Sequence, residues 1–205
     1  MPKKTTPAEK PAESRHWAEQ LAEEVIERFP DRKEYVCAAG ISPSGVVHFG
    51  NFRDVMTITA VGRALERRGK RVKLLFSWDD YDRFRKVPAG VDPAKFQEHI
   101  GKPLSALPDP QGDRNVSYAK RFERLFEGAV RELGISLEYR YQSDLYQAGV
   151  YDDAIRKAVE EREAIGRTLL GFMSDKAKAA KGITDEAFIK TYYPVNIYSE
   201  FTGKD

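Results

Sequence analysis

Two short stretches of this chain bring together residues able to bind and transform a charged small molecule. The first, residues 40–51, reads Gly-Ile-Ser-Pro-Ser-Gly-Val-Val-His-Phe-Gly-Asn and crowds Gly40, Ser42, Pro43, Ser44, Gly45, His48, Gly50 and Asn51 into one segment. A loop that opens a helix offers unpaired amide donors and a positive dipole end, and phosphate is the natural guest. His48 can donate a hydrogen bond to a phosphoryl oxygen and stabilise charge that develops during displacement at phosphorus. Asn51 can do the same or cap the helix. The plainer alternative is a turn histidine followed by an N-cap asparagine.

The second stretch, residues 78–88, reads Trp-Asp-Asp-Tyr-Asp-Arg-Phe-Arg-Lys-Val-Pro. Asp79, Asp80 and Asp82 leave the end of an apolar run beside aromatic residues, where they can hold a cationic substrate group or a magnesium ion. The alternative is a solvated acidic turn paired with Arg83, Arg85 and Lys86. Asp79, nearest the run, is the first choice as ligand, and Asp80 and Asp82 read as more structural or solvent-facing. The glycine spacing, five residues between Gly40, Gly45 and Gly50, fits neither Gly-x-Gly-x-x-Gly nor Gly-x-x-x-x-Gly-Lys-Ser/Thr. Hydride-transfer cofactors and the usual ATPase loop are therefore disfavoured. His16, His48 and His99 are scattered and Cys37 lies within a predicted strand, which gives metal-cluster and triad readings no local support.

The elements around these stretches must position them. Trp17, Leu21, Ala22, Val25 and Phe29 fall at helical spacing and predict a packing helix over residues 17–29. Residues 35–39 form an apolar run, as expected of a parallel strand covered on both faces. Gly40 is expected to break it. Phe52, Val55, Met56, Thr59, Gly62 and Leu65 mark the buried face of a helix over about 50–68, and residues 71–78 give the next strand. That strand-helix-strand unit should be right-handed, with both functional loops on the carboxyl edge of the sheet. The proline-rich excursion 88–115 carries a short helical candidate near 94–100 and reads as a functional cover. A helix from Tyr118 to Leu133 and an alternating edge strand over 136–141 follow. Apolar positions from Tyr151 to Phe172 predict one long helix, residues 175–182 read as exposed and mobile, and residues 192–198 form a last apolar cluster.

Composition sets outer bounds. In 205 residues, 41% hydrophobic and 32% charged, there is room for one good core, and no apolar run reaches the roughly 18 residues of a membrane span. The polar, proline-punctuated residues 1–14 read as a disordered tail without a secretory h-region. The cytoplasm is then the default compartment, and a single cysteine agrees with it. A net charge of +2 neither announces nor forbids a nucleic-acid partner.

Residues 43–51 resemble the first nucleotide-binding motif of class I aminoacyl-tRNA synthetases, whose core is His-x-Gly-His or His-x-Gly-Asn. Residues 40–45 and 78–88 narrow the resemblance to class I lysyl-tRNA synthetases, and Pro108-Asp109-Pro110 and the helix start Ser117-Tyr118-Ala119 fit as well. The resemblance runs from about Trp17 to the end. It implies an α/β fold, a Rossmann-type (HUP-like) parallel sheet with flanking helices, here the first half of a catalytic domain over 15–175, with 176–205 starting a connective insertion. It further implies activation of lysine by ATP, with magnesium, to lysyl-adenylate and transfer to tRNA(Lys). His48 and Asn51 would be catalytic, with Pro43, Ser44, Gly45, His48, Gly50 and Asn51 binding ATP. Gly40, Ser42, Asp79 and Asp80 would meet lysine. Position 42 is often threonine in this family, so serine keeps the hydroxyl. The family's second, Lys-Met-Ser-Lys-Ser-like motif is absent here, which suggests an amino-terminal portion with little or no adenylate formation alone. A shortened paralogue that binds without ligating, or a nucleotidyltransferase of the same superfamily, is the alternative.

Overall fold

The protein is described here by a computed structural model covering residues 16–180, 182, 184–197, 199 and 201–202. The tail read over 1–14 lies outside the described residues. Three strands, β1 (Tyr35–Ile41), β2 (Val72–Trp78) and β3 (Glu138–Tyr141), form one parallel sheet in the order β1-β2-β3. Gly40 does not break β1. It pairs with Ser77, and the strand runs on to Ile41 opposite Trp78. A Cβ at Gly40 would lie 2.7 Å from the Ser77 carbonyl oxygen, so glycine is required where the two strands approach.

One sheet face carries Ala39, Ile41, Phe76, Trp78, Tyr139 and Tyr141 into the core. α2 (Phe49–Arg67) adds Val55 to it, and α4 (Tyr118–Glu132) adds Phe126 and Val130. The other face is open among the described residues, where Val36 is 54% exposed, and this corrects the expectation of a strand covered on both sides. The reason is topological. Two crossovers of one hand that step across the sheet in one direction put their helices on the same face.

α1 (Trp17–Arg28) also uses a different stripe from the one its large residues suggest. Ala18 and Ala22 are buried, whereas Trp17 and Leu21 stay partly exposed. The small side chains let α1 lie close to Val61, Ala64 and Leu65 of α2, and Arg68 reaches Glu23 at 2.7 Å.

The excursion after β2 builds its own core. Phe84, Phe96 of α3 (Pro93–Phe96), Leu104, Leu107, Tyr118 and Phe122 pack together, so this stretch is a rigid flank. Buried Asp109 braces it, taking Arg121 Nε and Nη2 at 2.7 Å each.

Beyond β3 the chain is helical but more broken than its periodicity predicts. α5 (Gln142–Gln147) starts directly at the strand end, and α6 (Asp152–Glu160) and α7 (Arg162–Phe172) replace a single long helix. The charged run 160–163 offers no apolar anchor at the break. α8 (Asp175–Ala180) and α9 (Asp185–Thr191) follow, and Tyr192 packs on Gly166, where a Cβ would stand 3.2 Å from the ring.

Candidate functional site

β1 and β2 end side by side, with the Asp79 N–H donating to the Ile41 carbonyl at 2.9 Å. Both chemistry-bearing loops therefore leave the same sheet edge. Ser42 Oγ donates to Asp82 Oδ2 at 2.6 Å and ties the first loop to the second. Pro43 is fully buried. The Ser44 carbonyl accepts the Tyr118 hydroxyl at 2.8 Å, which fastens the loop to the flanking core. Burial drives that hydroxyl up to about 12, so it remains a donor at neutral pH.

His48 is the N-cap of α2, its Nδ1 accepting the Gly50 N–H at 3.1 Å. Asn51 is not the cap; it sits in the first turn. Since an amide N–H can only donate, Nδ1 of the neutral ring must be the acceptor and Nε2 carries the proton. The capping and phosphate-donor roles are thus compatible, one nitrogen for each. A Cβ at Gly50 would lie 3.0 Å from the imidazole, so glycine makes room for the ring over the helix start.

The three aspartates separate. Asp79 is partly buried at the strand end, and burial raises its carboxyl above the usual range. Asp82 and Asp80 add to that rise, and the neighbouring Ser77 hydroxyl opposes it. Asp80 is 3% exposed and turns inward, accepting the Ser143 N–H at 2.8 Å and the Ser143 hydroxyl. Asp82 is exposed and engaged with Ser42.

A cavity of about 550 Å³ opens at this edge, with Asp79, Asp82, Tyr81, Gln142, Tyr146 and Ile155 in its wall. Tyr81 and Tyr146 stack at 5.1 Å. Two carboxylates beside two aromatic rings suit an aliphatic chain that ends in a cation. A smaller cavity of about 200 Å³ adjoins Ser42, Ser44, Asp82, Phe84 and Lys86. Gly40, Pro43, Gly45, His48, Gly50, Asn51 and Asp80 line neither. His48 and Gly50 instead present an exposed helix start beside the loop.

Gln142, Tyr146 and Ile155 were not anticipated from sequence. The signal that finds Gln142 is the strand-end rule applied to a third parallel strand, since it follows Tyr141 directly. Among the described residues, no three His, Cys, Asp or Glu side chains converge to hold a metal ion. No helix among them is long and apolar enough to cross a membrane.

Comparison with known proteins points one way. The sequence profile of the family described as tRNA synthetases class I (K) matches residues 15–205. A lysine–tRNA ligase of Thermococcus kodakarensis is 47% identical over 190 residues, 93% of this chain and 34% of that protein. A lysine–tRNA ligase of Treponema pallidum is 40% identical over 194 residues, 94% of this chain and 35% of its own length. One from Streptomyces coelicolor is 40% identical over 175 residues, 82% of this chain and 30% of its own. The chain spans about a third of the length of the curated relatives it matches.

Proposed function

The chain belongs to the class I (K) tRNA synthetase family, and on that premise we propose that it contributes one wall of the site at which a cytoplasmic lysine–tRNA ligase activates lysine with ATP and charges tRNA(Lys). In the activation step the lysine carboxylate attacks the α-phosphorus of ATP, forming lysyl-adenylate and releasing pyrophosphate. The lysyl group then passes to a ribose hydroxyl at the 3′ end of the tRNA, and AMP leaves. His48 donates from Nε2 to a phosphate oxygen as charge builds there, and Asn51 supports the same group. Gly45 and Gly50 let the nucleotide approach the loop, with Pro43 and Ser44 shaping it. Asp79 receives the side-chain ammonium of lysine, while Gly40 and Ser42 fix the strand end and loop beside it. Asp80 acts from beneath through its clasp on Ser143. The described residues offer no cage for magnesium, so a divalent ion would enter with the nucleotide phosphates. Residues 15–175 are the domain that holds this wall, and 176–205 begin an insertion into it.

The observation that carries this reading is the position of Asp79, a partly buried carboxylate in the wall of a roomy cavity at the carboxyl edge of the sheet. Calorimetric titration of lysine tests it. Lysine should bind, and Asp79→Asn should weaken binding at least about tenfold, the scale of one hydrogen bond to a charge. Norleucine, which lacks the ammonium, should not compete. An Asp79→Asn chain that binds lysine as tightly as wild type would refute the assignment. Lysine-dependent ATP–pyrophosphate exchange by this chain alone should be weak or undetectable.

A further inference from the structure

The cavity that Asp79 lines also has a wall from the far end of the chain, made by Pro194, Val195, Asn196 and Ile197. Residues 193–197 belong to no helix or strand, so regular backbone pairing does not set their course. Ile197 is 78% exposed and yet lines the cavity, an apolar side chain at the rim of open volume. Covering it with the aliphatic stem of an amino acid would be favourable.

What sets the course of this segment is the end of α9. The last carbonyls of a helix have no partner within it. Arg162, the first residue of α7, reaches across to them. Its Nη1 donates to the Ile189 carbonyl at 3.1 Å and to the Tyr192 carbonyl at 3.1 Å, with the Lys190 oxygen at 3.5 Å. A positive charge is favourable at that end of a helix. The same guanidinium lies 4.9 Å from the centre of the Tyr193 ring, within reach of a cation–π attraction. One side chain thus closes α9 and holds the first two residues beyond it. Four positions on, on the same face of α7, Gly166 is buried, and a Cβ there would stand 3.2 Å from the Tyr192 ring. α7 therefore grips the entry to residues 193–197 at two points.

We propose that Arg162 is a positioning residue for lysine binding: it pins residues 192–197 as a strap that forms the outer wall of the cavity beside Asp79. This rests on the assignment of that cavity to lysine. The strap has no pairing of its own to fall back on, so loss of the pin should cost the wall before it costs the sheet.

The test combines hydrogen exchange followed by mass spectrometry with lysine affinity by calorimetry. Lysine should slow exchange over 192–197 in the wild-type chain. Arg162→Ala should speed exchange there while β1 and β2 keep their wild-type protection. If the strap is then seated in about one molecule in ten, lysine affinity should fall about tenfold. Arg162→Lys, which keeps the charge but not the planar face over Tyr193, should recover both readouts in part. Gly166→Ala, which displaces Tyr192 from the other contact, should move both in the same direction as Arg162→Ala. The proposal is overturned if Arg162→Ala leaves exchange over 192–197 at its wild-type rate, or if it speeds that exchange with lysine affinity unchanged. If Asp79→Asn leaves lysine affinity intact, the lysine assignment itself falls, whereas the pinning of the strap is still read from exchange alone.

Discussion

Glu123 offers the sharpest physical test of the layer beneath the site. It is 1% exposed on α4, and its Oε2 is 3.1 Å from Lys120 Nζ, which lies 3.7 Å from the centre of the Tyr141 ring. Burial pushes its carboxyl up from 4.5 to about 7, against the pull of Lys120 and with further help from the negative Asp80 and Glu127. A carboxyl raised on folding takes up a proton in the native state between those two values. Native stability from this group is therefore fully present below pH 4.5 and is lost as pH rises towards 7, with no further change above. The displacement corresponds to at most about 3 kcal/mol, at 1.36 kcal/mol per pH unit. Glu123→Gln keeps the shape and an acceptor for Lys120 while removing the titration. Urea unfolding of both proteins from pH 4.5 to 8 isolates the effect, since His99 and the remaining carboxylates cancel in the difference. The variant should gain on wild type up to about pH 7 and then level off, by roughly 2–3 kcal/mol in total. A difference that stays flat with pH would refute the reasoning, because it would mean that Glu123 is ionised in the native state despite its burial.

Other expectations are briefer. His48→Ala should cost about 1 kcal/mol of thermal stability through the lost cap, and His48→Asn should recover most of it. Both should slow pyrophosphate exchange in the complete enzyme by about one to three orders of magnitude, because neither restores the Nε2 donor. Asp109→Ala should cost about 3 kcal/mol in urea unfolding by stranding Arg121. Arg121 holds the Asp109 carboxyl down to about 2, so its stabilisation is present above the ordinary aspartate value of 3.8 and lost as pH falls towards 2. Differential scanning at pH 2 and pH 5 should show the variant without that acid limb. Gly40→Ala should destabilise by about 1–3 kcal/mol through the clash with the Ser77 carbonyl, and lysine affinity should fall with it. Lysine affinity should also decline on acidification at a pH above the ordinary aspartate range, as the raised Asp79 carboxyl takes up its proton.

Much of the fold was legible because its apolar runs are unambiguous. Residues 35–39 and 71–78, joined by a helical stripe, could only be a strand-helix-strand unit, and β1, α2 and β2 lie there. What escaped depended on the third dimension. Ala18 joins the expected Ala22 against α2 because two helices can approach closely over alanines, whereas a reading that ranks residues by size picks Trp17 and Leu21 for the rest of the stripe. Gly40 looked like a strand breaker because glycine often is one. Its reason lies in the Ser77 carbonyl of another strand, which no local window contains. The open sheet face was missed because an apolar run states that a strand can be covered twice, whereas the direction of its crossovers decides whether it is.

The site was legible in its charges but not in its supports. Asp79, Asp80 and Asp82 look alike in sequence, and only their surroundings distinguish them: Asp80 is clasped by Ser143, Asp82 meets Ser42, and Asp79 stands in the cavity wall. Those partners come from the loop after β1 and from α5, up to 63 residues away along the chain for Ser143 and Asp80. A single hydroxyl or amide at such a position carries no local signature, because its role exists only once parallel pairing has brought three strand ends level. The useful rule is therefore positional. In a parallel sheet, the polar residue immediately after every strand, and not only after the strand with the glycine-rich loop, is a candidate for the site. Applied to β3 it selects Gln142 from sequence alone, and Gln142 stands in the cavity wall with Asp79 and links Tyr151 to Ser77.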